Sequence, residues 1–215
     1  MGYKAVIFDL DGTLVNSIED IADAMNTVLQ SYNYPTHGYE IYKQFVGSGI
    51  KRLVVKALPE NQCEEAQIDT VFNEMMRIYS TRCTQKTKPY DGIMDLLKQL
   101  KNQNIKLAVL SNKADQLTKK IVLALFPNYF EAVEGLSDEA HKKPNPIKAL
   151  EISKTLKLPP EDIIFVGDTA IDIQTAQNAN MLAVGVSWGF RDKNELVESG
   201  ADHLLNHPLE LIDLF

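Results

Sequence analysis

Cysteine is scarce in this chain. Cys63 and Cys83 are the only two among 215 residues. They stand in no CxxC or Cys/His spacing, which removes a structural zinc site, and two thiols make no disulfide framework in a chain of this size. Reduced thiols fit a cytosolic protein. Basic charge is short as well, with 22 Lys and Arg against 29 Asp and Glu for a net charge of -7. Nucleic acid and anionic membrane both reward basic patches, so neither is expected as a partner. Long apolar runs are missing, since none approaches the roughly 20 residues of a membrane span. The opening Met1-Gly2-Tyr3-Lys4 leads straight into a strand pattern without the regions of a signal peptide. Val6 stands where a myristoylation signal carries Ser or Thr. Internal repeats and low-complexity tracts are also lacking. His37, His141, His203 and His207 show no metal-ligand spacing and are read as surface or satisfied polar groups. The expectation is a soluble cytoplasmic protein.

What is present is enough apolar material, 45% of the residues, to bury a core. Five short apolar runs predict strands at Ala5–Leu10, Lys106–Leu110, Phe130–Val133, Ile163–Val166 and Leu182–Val186. Near-continuous apolar runs of this length suit parallel strands buried on both faces. Helical spacing separates most of them. Asp91 predicts an N-cap before Ile93, Leu96, Leu97 and Leu100. Lys113–Leu125 and Ala170–Asn180 are amphipathic stretches, and Asn145-Pro146 predicts a helix start leading to Leu150, Ile152 and Leu156. Strand–helix alternation points to a doubly wound parallel sheet. Residues 17 to 82 break that alternation. Ser17-Ile18-Glu19-Asp20 resembles a capping box, and helical patterns follow at Ile21–Leu29, Val46–Leu58 and Glu65–Tyr79. We therefore expect an α/β core at 1–15 and 87–215, with a small all-helical domain inserted at 16–86 after the first strand.

The chemistry is concentrated where strands end. Asp9 and Asp11 close the first apolar run, two residues apart on an extended chain and so pointing the same way. Two like charges about 5 Å apart cost roughly 3 kcal/mol at an effective dielectric near 20. A fold accepts that cost more readily when a cation sits between the carboxylates or when chemistry needs two acids. Ligands of open α/β sheets sit beyond the carboxyl ends of the strands. There the sequence offers Asp9 and Asp11, then Ser111-Asn112, then Lys142-Lys143-Pro144, then Asp168 and Asp172. This set suits phosphoryl transfer, in which charge must be cancelled and attack aligned. Asp9, Asp168 and a backbone carbonyl near Asp11 would supply oxygen ligands for Mg²⁺. Either Lys142 or Lys143 would neutralise phosphoryl oxygens. Asp172 also fits the first turn of a helix, where negative charge is favoured. Thr13 and Asn112 are assigned to substrate binding, with turn and cap geometry as the alternative. Arg52, beside Lys51, would suit a substrate carboxylate, a solvated helix face being the alternative. Trp188 is read as packing at the rim of the site.

These residues carry a family resemblance that covers essentially the whole chain. Asp9-Leu10-Asp11-Gly12-Thr13, Leu110-Ser111-Asn112, Lys143-Pro144-Asn145-Pro146 and Gly167-Asp168-Thr169-Ala170-Ile171-Asp172 resemble the four motifs of haloacid dehalogenase-like phosphatases. The resemblance implies that Asp9 is the nucleophile and Asp11 the general acid/base. It implies that Ser111 binds phosphate, Lys143 steadies its charge, Asp168 ligates metal, and Asp172 supports the metal site or Lys143. Asp9, Asp11, Asp168 and Asp172 then form the metal set, and the helical insert is the family's small cap. Phe45–Leu53 and Lys88-Pro89-Tyr90-Asp91-Gly92-Ile93 resemble the phosphoglycolate phosphatases. Asn16 departs from the Asp that many relatives carry there. The implied activity is Mg²⁺-dependent hydrolysis of a small phosphate monoester, 2-phosphoglycolate first, through an aspartyl-phosphate. A sugar-phosphate mutase, a pyrophosphatase and a phospho-accepting signalling domain are the alternatives. The oligomeric state is open, a homodimer being one option.

Overall fold

A computed structural model describes residues 2–215. The chain divides into two compact units, one formed by the chain up to Asn16 together with Pro89–Phe215, the other by Ser17–Lys88.

The first unit is built on Ala5–Phe8 (β1), whose four residues are all buried. After the two-residue strands Val15–Asn16 (β2) and Lys88–Pro89 (β3) come Lys106–Ala114 (β4), Ala132–Leu136 (β5), Ile163–Gly167 (β6), Leu182–Val186 (β7) and His203–Leu205 (β8). Six of these form one sheet in the order β5-β4-β1-β6-β7-β8. Every pairing in it is parallel. From β1 the chain builds outward on one side to β4 and β5, then returns to start the other side at β6. The winding direction therefore reverses beside β1, which places a crevice at the carboxyl ends of β1, β4 and β6. Phe8 is level with Val109 of β4 and Val166 of β6, so these three strands deliver Asp9, Ser111 and Asp168 to one edge. Ala5, Ile7, Ala108, Leu110, Phe165 and Ala183 pack from the sheet against Ile152 and Leu156 of Ile147–Leu156 (α7) and Ile173 and Ala176 of Ala170–Asn178 (α8).

The second unit is helical: Ile18–Ser31 (α1), Tyr39–Phe45 (α2), Ile50–Ala57 (α3) and Glu65–Arg82 (α4). Met25, Leu29, Tyr42, Val71, Met75 and Tyr79 are fully buried within it.

Several elements differ from the sequence reading for local reasons. The third predicted strand is displaced to Ala132–Leu136, because Phe130 turns inward onto Phe8 and Phe126 as an edge-to-face ring contact. Glu134, which carries no apolar signal, pairs with Leu110 in the ladder instead, and Gly135 lies in the strand at the register shift. His203–Leu205 was too short to register as a strand. The helix foreseen at Val46–Leu58 starts only at Ile50, since Gly47 and Gly49 take positive φ and break it from α2. Asp91 is not the cap of Ile93–Asn102 (α5), where Gly92 in the left-handed region takes that place. Pro146, not Asn145, is the N-cap of α7, while Asn145 Oδ1 accepts from the Ile147 N–H. Ser17 is the N-cap of α1 without a side-chain capping bond. Asp20, the other half of the expected box, is fully buried and instead accepts from Lys86 N, Thr87 N and Thr87 Oγ1.

Candidate active site

Asp9 follows β1, and its own N–H donates to Val166 O at 2.9 Å. The chain then turns sharply, with Leu14 N and Val15 N both donating to Leu10 O at 3.0 Å. Gly12 sits in this turn at φ +92, where a side chain would be strained. A Cβ there would also run into the Asp168 carboxylate, so the turn lies directly against the end of β6.

Asp9, Asp168 and Asp172 each present a carboxylate oxygen within 4.8 Å of the others, and all three are buried. Lys143 Nζ donates to Asp9 Oδ1 at 2.7 Å, to Asp172 Oδ1 at 2.7 Å and to Leu110 O at 3.1 Å, which uses all three of its N–H groups. The ammonium also lies 5.6 Å from the centroid of the Phe165 ring. Lys142 instead pairs at 3.0 Å with Glu139, outside this cluster. Asp172 holds two positions together. Its Oδ2 accepts from Thr169 N and Thr169 Oγ1, closing a capping box on α8, while its Oδ1 takes the lysine.

The neighbouring residues mostly hold this cluster in place. Asn112 grips the Lys143 backbone with both ends of its amide, Oδ1 accepting from Lys143 N at 2.9 Å and Nδ2 donating to Lys143 O at 3.2 Å. Thr13, fully buried, directs its hydroxyl at Asp168 Oδ1 at 3.4 Å, and its carbonyl accepts from the Trp188 indole at 3.0 Å. Asp168 Oδ2 accepts from the Phe190 N–H at 2.8 Å. Ser111 is buried and accepts from Lys113 N at 3.3 Å. Asp11 is not part of the three-carboxylate group. Its two oxygens are held by Lys113 Nζ, at 2.9 and 2.7 Å. Arg52 lies exposed on α3 in the helical unit. Lys113 was not foreseen as a site residue. The sequence reading ends the second strand at Leu110 and opens the next amphipathic stretch at Lys113, whereas β4 runs on to Ala114 and keeps Lys113 in the strand.

Burial dominates the electrostatics. It pushes the Asp9 carboxyl up to about 7, with Lys143 acting against the rise and the Asp172 and Asp11 carboxylates adding to it. Burial, then the Asp172 and Asp9 carboxylates, also hold Asp168 well above the ordinary aspartate value. Burial works against the Lys143 ammonium, but Asp172 and Asp9 outweigh it and leave its pKa raised. Three carboxylates are buried here, and the one ammonium ion-paired within the group, Lys143, bonds only Asp9 and Asp172. A divalent, oxygen-seeking cation of the Mg²⁺ type fits that donor set.

A family model described as haloacid dehalogenase-like hydrolase matches residues 6–186. A phosphoglycolate phosphatase of Aquifex aeolicus is 32% identical over 213 residues, covering 98% of this chain and 96% of that protein. A solved structure from Lactobacillus delbrueckii subsp. bulgaricus matches with a TM-score of 0.91 at 31% identity, over 98% of this chain and 97% of that one. A predicted phosphoglycolate phosphatase from Haemophilus somnus matches with a TM-score of 0.89 at 26% identity, over 98% of this chain and 97% of that one.

Proposed function

Given that the chain belongs to the haloacid dehalogenase-like hydrolases and is a phosphoric monoester hydrolase, we propose that it cleaves a small phosphate monoester in a Mg²⁺-dependent reaction. The leading substrate is 2-phosphoglycolate, the compound named in its relatives. One observation carries the mechanism: a buried carboxylate, Asp9, is fixed by Lys143 at the sheet's switch point, with a second carboxyl, Asp11, two residues away.

Asp9 attacks phosphorus, and the bond from phosphorus to the ester oxygen breaks as the new one forms, giving an aspartyl-phosphate. Asp11 gives its proton to the departing alcohol oxygen. A water then attacks the same phosphorus, the bond from phosphorus to the Asp9 oxygen breaks as the new one forms, and Asp11 takes the water's proton, so free Asp9 and inorganic phosphate result. Lys143 balances charge on Asp9 and on the phosphoryl oxygens, and the Ser111 hydroxyl donates to one of them. Asn112 acts through Lys143 by fixing its backbone. Asp9, Asp168 and Asp172 are the residues that would hold Mg²⁺, which supplies positive charge for the phosphoryl group when bound.

The test is phosphate release from 2-phosphoglycolate, sugar phosphates, nucleotides and pyrophosphate, each with Mg²⁺ and with chelator. Monoester hydrolysis that chelation abolishes is expected. Asp9→Asn is expected to fall to background turnover with the fold intact. Turnover preserved in Asp9→Asn would remove Asp9 as the nucleophile, and release confined to pyrophosphate would replace the monoester reading.

A further inference from the structure

Lys113 is a buried cation with no part in the mechanism so far. Its side chain is 2% exposed, and the Asp11 side chain that it grips is 10% exposed. An ammonium withdrawn from water this far needs a partner, and both oxygens of one carboxylate supply it.

The backbone shows how Lys113 comes to face this way. Opposite β5, Leu110 pairs with Glu134 and Ala114 pairs with Leu136. Four steps along β4 therefore match two along β5, and the surplus falls on Ser111, Asn112 and Lys113. Such irregularities re-aim side chains beside active sites. All three of these consecutive residues are buried, as are Leu107–Leu110 before them in β4. Each then makes a site contact: Lys113 with Asp11, Asn112 with the Lys143 backbone, Ser111 with the Lys113 N–H. The segment is pinned from behind, where Thr118 Oγ1 donates to Lys113 O at 3.1 Å.

We propose that Lys113 is a positioning residue for the acid/base step: its ammonium fixes the Asp11 carboxyl where a leaving oxygen or a water can exchange a proton with it, and its N–H orients the Ser111 hydroxyl. The proposal rests on the acid/base role given to Asp11 above. A proton donor must lie within hydrogen-bond reach of the reacting oxygen, and a freely rotating Asp11 would spend most of its time elsewhere.

The experiment is a double-mutant cycle of Lys113→Met and Asp11→Asn, measured as kcat on 2-phosphoglycolate, or on the best monoester of the panel. General acid/base help is worth about 10²–10⁴-fold, so Lys113→Met is expected to cost about tenfold or more in the wild-type background. In the Asp11→Asn background the same change is expected to cost less than about threefold, because the residue it serves is gone. With p-nitrophenyl phosphate, whose phenolate leaves without a proton, the first burst of product is expected to be nearly unaffected by Lys113→Met. If Lys113→Met does not fold, Lys113→Gln carries the same cycle, since it keeps a donor and drops the charge. Losses that multiply across the two sites, or a burst slowed as much as alkyl ester turnover, would overturn the proposal. Asp11→Asn alone leaving turnover unchanged would instead remove the acid/base reading on which it stands.

Discussion

Replacing Lys143 by Met should expose how much charge this fold confines. In the native protein Lys143 Nζ makes two ion pairs of 2.7 Å and a carbonyl contact of 3.1 Å, and its side chain is 3% exposed. Methionine fills much the same volume, so the loss is electrostatic rather than a cavity. It leaves the three buried carboxylates without the ammonium that pairs with two of them. Breaking a buried pair by removing one partner costs about 3–5 kcal/mol. For a chain of this length that lowers Tm by about 6–20 °C. The assay is thermal unfolding in chelator at pH 8. Two further readings separate this cause from general damage. Lowering the pH to 5 lets the carboxylates take up protons, so the deficit should shrink. Adding Mg²⁺ should raise the Tm of the variant more than that of the wild type, since the variant holds the larger uncompensated charge. A variant melting within about 2 °C of wild type at pH 8 in chelator would refute the reasoning, as would a deficit that does not change between pH 5 and 8.

The wild-type protein itself should show a related dependence in chelator. The Asp9 carboxyl is raised from 3.8 to about 7 in the fold, so the folded state holds the extra proton between those values. Stability from this group is therefore greatest at low pH and falls as pH rises toward 7, and Mg²⁺ should flatten that slope in chemical denaturation series. Gly12→Ala should cost about 1–3 kcal/mol for backbone strain alone at φ +92, and its methyl would displace Asp168, so Mg²⁺-dependent stabilisation in melting curves should weaken with it. Asp20→Ala removes the acceptor for Lys86 N, Thr87 N and Thr87 Oγ1 and should destabilise the helical unit by about 2–5 kcal/mol in denaturant titrations.

The doubly wound sheet was legible because its interior strands are buried on both faces and so spell continuous apolar runs, Ala5–Phe8 and Ile163–Val166 above all. Strands with mixed environments were not. Ala132–Leu136 includes Glu134 and Gly135, and His203–Leu205 has only three residues. Helix ends escaped where backbone conformation rather than a polar side chain set them, as at Gly49 and Gly92. At the site, strand-end position and the motif resemblance nominated the acids; the structure brings Asp9, Asp168 and Asp172 into one group and holds Asp11 apart, on Lys113. The residues alone left Lys142 and Lys143 as rivals and the family resemblance favoured Lys143; in the structure Lys143 pairs with Asp9 and Asp172, while Lys142 pairs with Glu139. Lys113 was missed because the polar run Ser111-Asn112-Lys113 ended the apolar signal of the strand at Leu110 and gave Lys113 to the following helix, whereas β4 continues to Ala114.

β1 has neighbours on both sides of the sheet, and the Asp9 amide is itself bonded across to Val166. Amide protons in such a strand exchange with solvent only when the whole unit opens. The Asp9 carboxylate thus rides on the last segment to let go. Fraying at the outer strands β5 and β8 can come and go without disturbing it, and loss of turnover on heating should track global melting rather than precede it.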